Sequence, residues 1–282
     1  MIRCANLIKR FSEKTVLDHV SFEIPGGAIF GFLGPSGAGK TTLIKILTGQ
    51  LSFEDGLVSV FDKPVNELLR DDKKRIGIMM DSFGIYERFS CADNLKIFAD
   101  IYDIQHTRIP IVLKMVGLED VGHKPAANLS KGMRTRLSLA RCFLHAPRLI
   151  FLDEPTSGLD PQTMRKIHRI IMDLKRDGCT VFLTTHNMEE AHALCDTVAL
   201  LHQGVITESG APDVICRKYN HQKKIRLHLS SGEDVELPHD KTAVQTISNL
   251  LASGITESIH SSEPTLESVF LELTGHTLQE DE

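Results

Sequence analysis

No stretch of the 282 residues approaches the ~18–20 consecutive apolar positions that a membrane-spanning helix needs. Any role at a membrane is therefore expected to run through a partner. A basic excess is missing too: 32 Lys and Arg stand against 37 Asp and Glu, for a formal net charge of −5. Such a chain has no overall positive field to draw nucleic acid, and none is expected as a partner. Short clusters such as Lys73-Lys74-Arg75 and Lys223-Lys224 read as solvated faces. The six cysteines contain no C-x-x-C pair, and the thirteen histidines show no H-E-x-x-H or comparable ligand spacing. Structural zinc is not expected. The cysteines read as reduced thiols of a cytosolic protein, mostly small core residues. The first residues, MIRCANLIKRF, alternate like a strand and lack a signal peptide's apolar segment. Internal repeats and low-complexity tracts are also absent.

What the chain does have is a complete phosphate-binding loop at residues 34–42, GPSGAGKTT, of the form G-x-x-x-x-G-K-[ST]. The apolar run 28–33 (AIFGFL) before it suits a buried strand. After it, Leu43, Ile46 and Leu47 fall at helical spacing, with Gly49 as a stop. Gly34, Gly37 and Gly39 let the backbone bend around a phosphate, with Pro35, Ser36 and Ala38 between them. The N–H groups then point inward at the helix mouth. Lys40 is placed to reach the outer phosphates, the Thr41 hydroxyl to ligate Mg²⁺, and Thr42 to continue the phosphate contact. A nucleoside triphosphate is the expected ligand.

A second apolar run, 149–154 (LIFLDE), ends in two carboxylates. A parallel strand that buries four apolar residues delivers Asp153 and Glu154 to the crevice where such sheets bind ligands. Asp153 is suited to hold Mg²⁺, directly or through water, and Glu154 to orient and deprotonate an attacking water.

Around these motifs the pattern predicts antiparallel strands at 2–11 and 15–24, then strands at 57–61 and 75–80 with a short helix at 67–72. A helical block follows, with helices at 94–102, 109–116 and 133–144. Strand and helix then alternate: strands at 149–152 and 180–184, helices at 162–176 and 188–195, and a hairpin of 197–201 and 205–209. Alternation broken by one helical block predicts a mostly parallel sheet with an inserted helical subdomain. A boundary near 217–222 separates about 60 further residues: a hairpin (224–229 and 233–237), a helix (244–252), a strand (256–260) and an amphipathic helix (266–273).

Taken together, several motifs resemble the nucleotide-binding subunit of ABC transporters over residues 2–216. Leu129-Ser130-Lys131-Gly132-Met133 looks like the family's signature loop, followed by the arginine-rich helix RTRLSLAR. Ser157-Gly158-Leu159-Asp160 follows DEPT as the family's D-loop does, and Thr184-Thr185-His186 ends a strand as its switch-histidine loop does. The resemblance implies an α/β fold with a P-loop NTPase core, an N-terminal antiparallel β subdomain and an inserted helical subdomain at about 88–145. An ATP-binding domain over 1–218, a small α+β accessory domain over 219–276 and a disordered tail over 277–282 are expected.

The same resemblance implies roles for single residues. Phe11 would stack on adenine, and His186 would act at the γ-phosphate. Ser130, Gly132 and Asp160 would contact nucleotide held by a second subunit, the two arranged head to tail. Two departures stand out: Lys131 and Met133 replace the second Gly and the Gln of LSGGQ. Asp81 stands where the family carries a Gln that touches Mg²⁺ and the attacking water, which is similar to lantibiotic and bacitracin-type exporters. The ending PTLESVFLELTG is similar to drug-exporter subunits. An ATPase using ATP and Mg²⁺ is implied, peripheral on the cytoplasmic face beneath a separate permease and paired with a second ATP-binding subunit, most simply an identical one. The alternative is a soluble or regulatory ABC ATPase outside transport. Soluble relatives acting on ribosomes or DNA join two ATPase units or carry a long coiled coil, whereas this chain has one phosphate loop.

Overall fold

The computed structural model describes residues 1–80, 84–221 and 224–275. Asp81 and the expected tail at 277–282 lie outside the described residues. The chain divides into two compact units, the first ending at Ala211 and the second starting at Pro212.

The first unit opens with two long strands, β1 (Ile2–Phe11) and β2 (Lys14–Ile24), paired antiparallel. Strand β3 (Ile29–Leu33) leads through the phosphate loop into helix α1 (Lys40–Leu47). Strands β4 (Asp55–Val60) and β5 (Lys63–Pro64), the single-turn helix α2 (Arg70–Lys73) and strand β6 (Ile76–Met80) follow. Three helices then form the insertion: α3 (Cys91–Tyr102), α4 (Arg108–Met115) and α5 (Lys131–Phe143). The alternating part runs β7 (Leu149–Asp153), α6 (Pro161–Arg176), β8 (Thr180–Thr185), α7 (Met188–Leu194), β9 (Thr197–His202) and β10 (Val205–Gly210).

Among the described residues of this unit the strands form two sheets. One is antiparallel, in the order β2-β1-β4-β5; the other runs β10-β9-β3-β8-β7-β6 and is parallel except for β10. Strands β3 and β8 are buried at every residue. Burial on both faces explains why β3, and β8 between its flanking threonines, read as continuous apolar runs rather than alternating ones. The core is aromatic where the two sheets meet. Phe182 lies with its ring centroid 5.5–6.2 Å from those of Phe22, Phe30, Phe32 and Phe151, and is fully buried. Phe182→Ala would leave a hole touching four rings, and an equilibrium urea titration is expected to show a loss of about 3–5 kcal/mol. A loss below about 1 kcal/mol would mean that the cluster collapses around the gap.

Register is what makes this sheet a platform. Leu33 pairs with Thr185, Asp153 with Thr184, and Met80 with Asp153. The carboxyl ends of β3, β8, β7 and β6 therefore lie level, so the segments that leave them emerge side by side.

The second unit holds α8 (Pro212–Lys218), β11 (Lys224–Leu229), β12 (Asp234–Pro238), α9 (Val244–Ala252), β13 (Thr256–Ser262) and α10 (Leu266–Thr274). Its sheet is antiparallel, in the order β12-β11-β13. Helix α10 starts on Thr265, which shares a reciprocal capping box with Ser268, and stops at Gly275 in the left-handed conformation. Sequence periodicity missed α8. This helix packs against α10 within the second unit, which puts the division at Ala211 rather than at 218.

The six cysteines are unpaired and buried. Burial pushes the thiols of Cys4, Cys142 and Cys179 up to about 12, as suits small core residues rather than nucleophiles. No helix among the described residues is long and apolar enough to cross a membrane.

Candidate functional site

The phosphate loop is built by close approach and by reversed backbone angles at Gly37 and Gly39. A Cβ on Gly34 would come within 2.5 Å of the Leu201 carbonyl oxygen, so no larger residue fits there. Gly39 sits at φ +109° as the N-cap of α1 and offers no side-chain acceptor to the helix's first turn. Those N–H groups are left for an external acceptor, and an anion suits the positive helix end. The Ala38 N–H closes the turn onto the Pro35 carbonyl at 3.3 Å.

Lys40 is 7% exposed, so its ammonium needs partners. It donates to the carbonyls of Gly34 (2.6 Å) and Pro35 (3.1 Å), and it lies 3.1 Å from Glu154 Oε1. The other oxygen, Glu154 Oε2, lies 2.8 Å from His186 Nδ1. One carboxylate thus bridges the phosphate-loop lysine and the strand-end histidine. Glu154 holds this position with φ +48°, a conformation that L residues other than Asn and Asp seldom adopt. Its N–H donates to the Thr184 carbonyl (3.1 Å) and hydroxyl (3.2 Å), which steadies the turn.

The neighbouring carboxylate is held from both sides by hydroxyls. Thr41 Oγ1 donates to Asp153 Oδ2 at 2.7 Å, and Thr184 Oγ1 donates to Asp153 Oδ1. Ser36, Gly37, Gly39, Lys40, Thr41, Thr42, Asp153 and Glu154 line one cavity of about 770 Å³, a size suited to a nucleotide-like ligand. Its opposite wall carries Lys131, Arg134 and Thr135 from the first turns of α5.

Of the predicted residues, Gly34, Pro35, Ala38 and His186 adjoin the cavity residues without lining the cavity themselves, and Phe11, Ser130, Gly132 and Asp160 do not line it either. Phe11 is exposed, with the Lys9 ammonium 5.0 Å from its ring centroid. Ser130 caps α5, accepting from the Met133 N–H at 3.3 Å. Gly132 meets α6 so closely that a Cβ would come within 2.8 Å of Thr163 Cγ2. Asp160 caps α6, accepting from the N–H groups of Gln162 and Thr163 at 3.0 Å each. Hydrogen bonds from Thr163 and the helix's first N–H groups hold the Asp160 carboxyl below the usual carboxylate range. Thr184, Lys131 and Arg134 escaped sequence reasoning as cavity or partner residues. For Thr184 a signal existed: β8 is apolar until Thr184-Thr185, and a polar pair closing a buried strand points to a partner.

Comparison with known proteins agrees with this geometry. The family described as "ABC transporter" matches residues 17–157. A fluoroquinolones export ATP-binding protein of Mycobacterium tuberculosis is 39% identical, across 99% of this chain and 94% of its own length. The linearmycin resistance ATP-binding protein of Bacillus subtilis is 29% identical over 99% of this chain and 100% of its own. A lantibiotic transport ATP-binding protein of Streptococcus pyogenes is 34% identical over 73% of this chain and 89% of its own. Among solved structures, an ATP-binding subunit of an ABC transporter superposes with a TM-score of 0.70 at 26% identity, covering 78% of this chain and 93% of that one. A dimeric ATP-binding cassette bound to ADP and phosphate in a post-hydrolysis state gives 0.68 at 25% identity, covering 75% of this chain and 98% of that one. A phosphate loop, a strand-end carboxylate pair and a histidine in one cluster, on a chain 39% identical to an export ATP-binding protein across 99% of its length, make this protein a member of the ABC transporter family of ATP-binding ATPases.

Proposed function

We propose that this chain powers an exporter of a drug, antimicrobial peptide or similar compound, hydrolysing ATP beneath a separate membrane permease. The observation that carries the chemistry is the Glu154 carboxylate bridging Lys40 and His186. That observation and the export relatives support the reading together. Lys40 neutralises charge on the outer phosphates. Glu154 orients a water and takes its proton as the water oxygen attacks the γ-phosphorus and the bond to the β-phosphate oxygen breaks. His186, hydrogen-bonded to Glu154, holds the γ-phosphate side.

The Thr41 hydroxyl and the Asp153 carboxylate, 2.7 Å apart, are hard oxygen donors of the kind Mg²⁺ takes. They would hold the ion, which when bound offsets phosphate charge, and Asp81 would add a carboxylate to the set. The reading makes Asp81 a working replacement for the family's glutamine. Asp81→Asn is expected to raise the Mg²⁺ midpoint of ATP turnover and to lower transport further than hydrolysis. Unchanged Mg²⁺ dependence together with unchanged transport would remove Asp81 from the site.

Phe11 stacks on adenine in this reading. Ser130, Gly132 and Asp160 serve nucleotide on a second copy in this reading, in keeping with their absence from the lining of this chain's own cavity. A small accessory domain follows the ATPase unit, and the assembly sits on the cytoplasmic face through the permease. The test is co-purification from solubilised membranes, with efflux measured in cells carrying Glu154→Gln. An integral membrane protein should co-purify, and efflux should stop. A chain that recovers no membrane partner, in cells whose efflux is unchanged, contradicts the exporter reading.

A further inference from the structure

Behind the site, away from the cavity, sits a carboxylate that the chemistry above does not use. The Glu190 side chain is 0% exposed. Its Oε1 accepts from the Thr156 hydroxyl at 2.7 Å and lies 3.0 Å from His168 Nε2, while its Oε2 is buried with no hydrogen-bond partner among the described residues. Burying a carboxylate is costly, and an apolar residue of similar size would pack this spot more stably. The position gives the cost a purpose.

Three segments converge on this one group. Thr156 lies two residues beyond Glu154, His168 lies on α6, and Glu190 lies in the first turn of α7. That turn is tied to the histidine loop. The Glu190 N–H donates to the Asn187 side chain at 3.0 Å, and the Asn187 N–H donates to the Thr185 hydroxyl at 3.0 Å. His186 is therefore bracketed by residues fixed from α7. Glu154 begins a turn closed by the Ser157 N–H onto its own carbonyl at 3.2 Å, and Thr156 within that turn is fixed from the same helix.

We propose that Glu190 is a positioning residue that locks the loop after β7 to the first turn of α7, and so sets the contact between Glu154 and His186. The proposal rests on the reading that this pair acts on water and phosphate. The left-handed backbone at Glu154 is a conformation that surrounding contacts must impose: Thr184 holds its N–H, and two residues on, the buried bond from Thr156 to Glu190 holds the rest of the turn. A small misplacement of a catalytic group lowers turnover steeply while leaving ligand affinity in place.

The test measures kcat for ATP and the Kd of a non-hydrolysable ATP analogue on four single variants and one double variant. Thr156→Val removes only the hydroxyl, so it keeps volume even where Glu190→Ala fails to fold. Glu190→Gln keeps an acceptor for Thr156. Glu154→Gln controls for the underlying reading. Thr156→Val and Glu190→Ala should each lower kcat about 10-fold with Kd within about twofold of the parent, and Glu190→Gln should restore at least about half of kcat. The Thr156→Val/Glu190→Ala double variant should fall no further than the worse single one, because both break the same bond. A folded Thr156→Val protein with kcat within about twofold of the parent overturns the proposal, as does a parallel loss of kcat and affinity. If Glu154→Gln also turned over ATP normally, the reading beneath it would fall as well.

Discussion

Glu154→Gln is expected to cut ATP turnover at least ~10²-fold while the protein still binds ATP. The carboxamide keeps the length of the side chain and an acceptor oxygen, so the hydrogen-bonded frame around it survives. It cannot take a proton from water at neutral pH, so the base is gone. A unit of negative charge also disappears from beside Lys40 and His186, where the γ-phosphate is to sit. Repulsion between protein and triphosphate falls, and the ATP-bound form should accumulate as a dimer visible by sedimentation. Near-normal turnover in the purified variant would sink the assignment, because another group would then have to accept the proton.

Ser130→Arg should leave single-chain ATP affinity almost unchanged and abolish ATP-driven dimers and cooperative turnover. Ser130 is exposed and, unlike its neighbours Leu129 and Lys131, does not line this chain's own cavity. The substitution does remove the cap that accepts from the Met133 N–H, a cost of ~1 kcal/mol that a unit of this size tolerates. In a head-to-tail pair the arginine would instead project at the partner's γ-phosphate. Loss of ATP binding in the isolated chain would show that the loop had misfolded. Dimers forming at the parent's ATP concentration would show that the signature does not act across an interface.

The parts of the site read directly from sequence are those whose chemistry is contiguous. Gly34 to Thr42 state their purpose in nine residues, because the spacing of glycines and the lysine is itself the geometry. Asp153 and Glu154 were legible because an apolar strand ends on them. For Thr184 the polar pair closing a buried strand pointed to a partner, but not to which one, because its bond to Asp153 exists only through the register of β7 against β8. Glu190 was hidden for the same reason: its partners lie 34 and 22 residues away. Helix α8 escaped sequence periodicity, although Pro212 at its start is a fair entry signal. The Phe182 cluster followed from composition only as a generic core; that five phenylalanines meet there is a product of topology.

If two copies complete each other's ATP sites, mixing the two inactive variants should restore turnover. In a head-to-tail pair of Glu154→Gln with Ser130→Arg, one site combines both defects. The other combines an intact Glu154 from one copy with an intact Ser130 from its partner. An equal mixture should therefore turn over ATP well above the sum of the two variants alone, since each mixed dimer carries one working site of two. A mixture no more active than the sum of the separate variants would contradict the account.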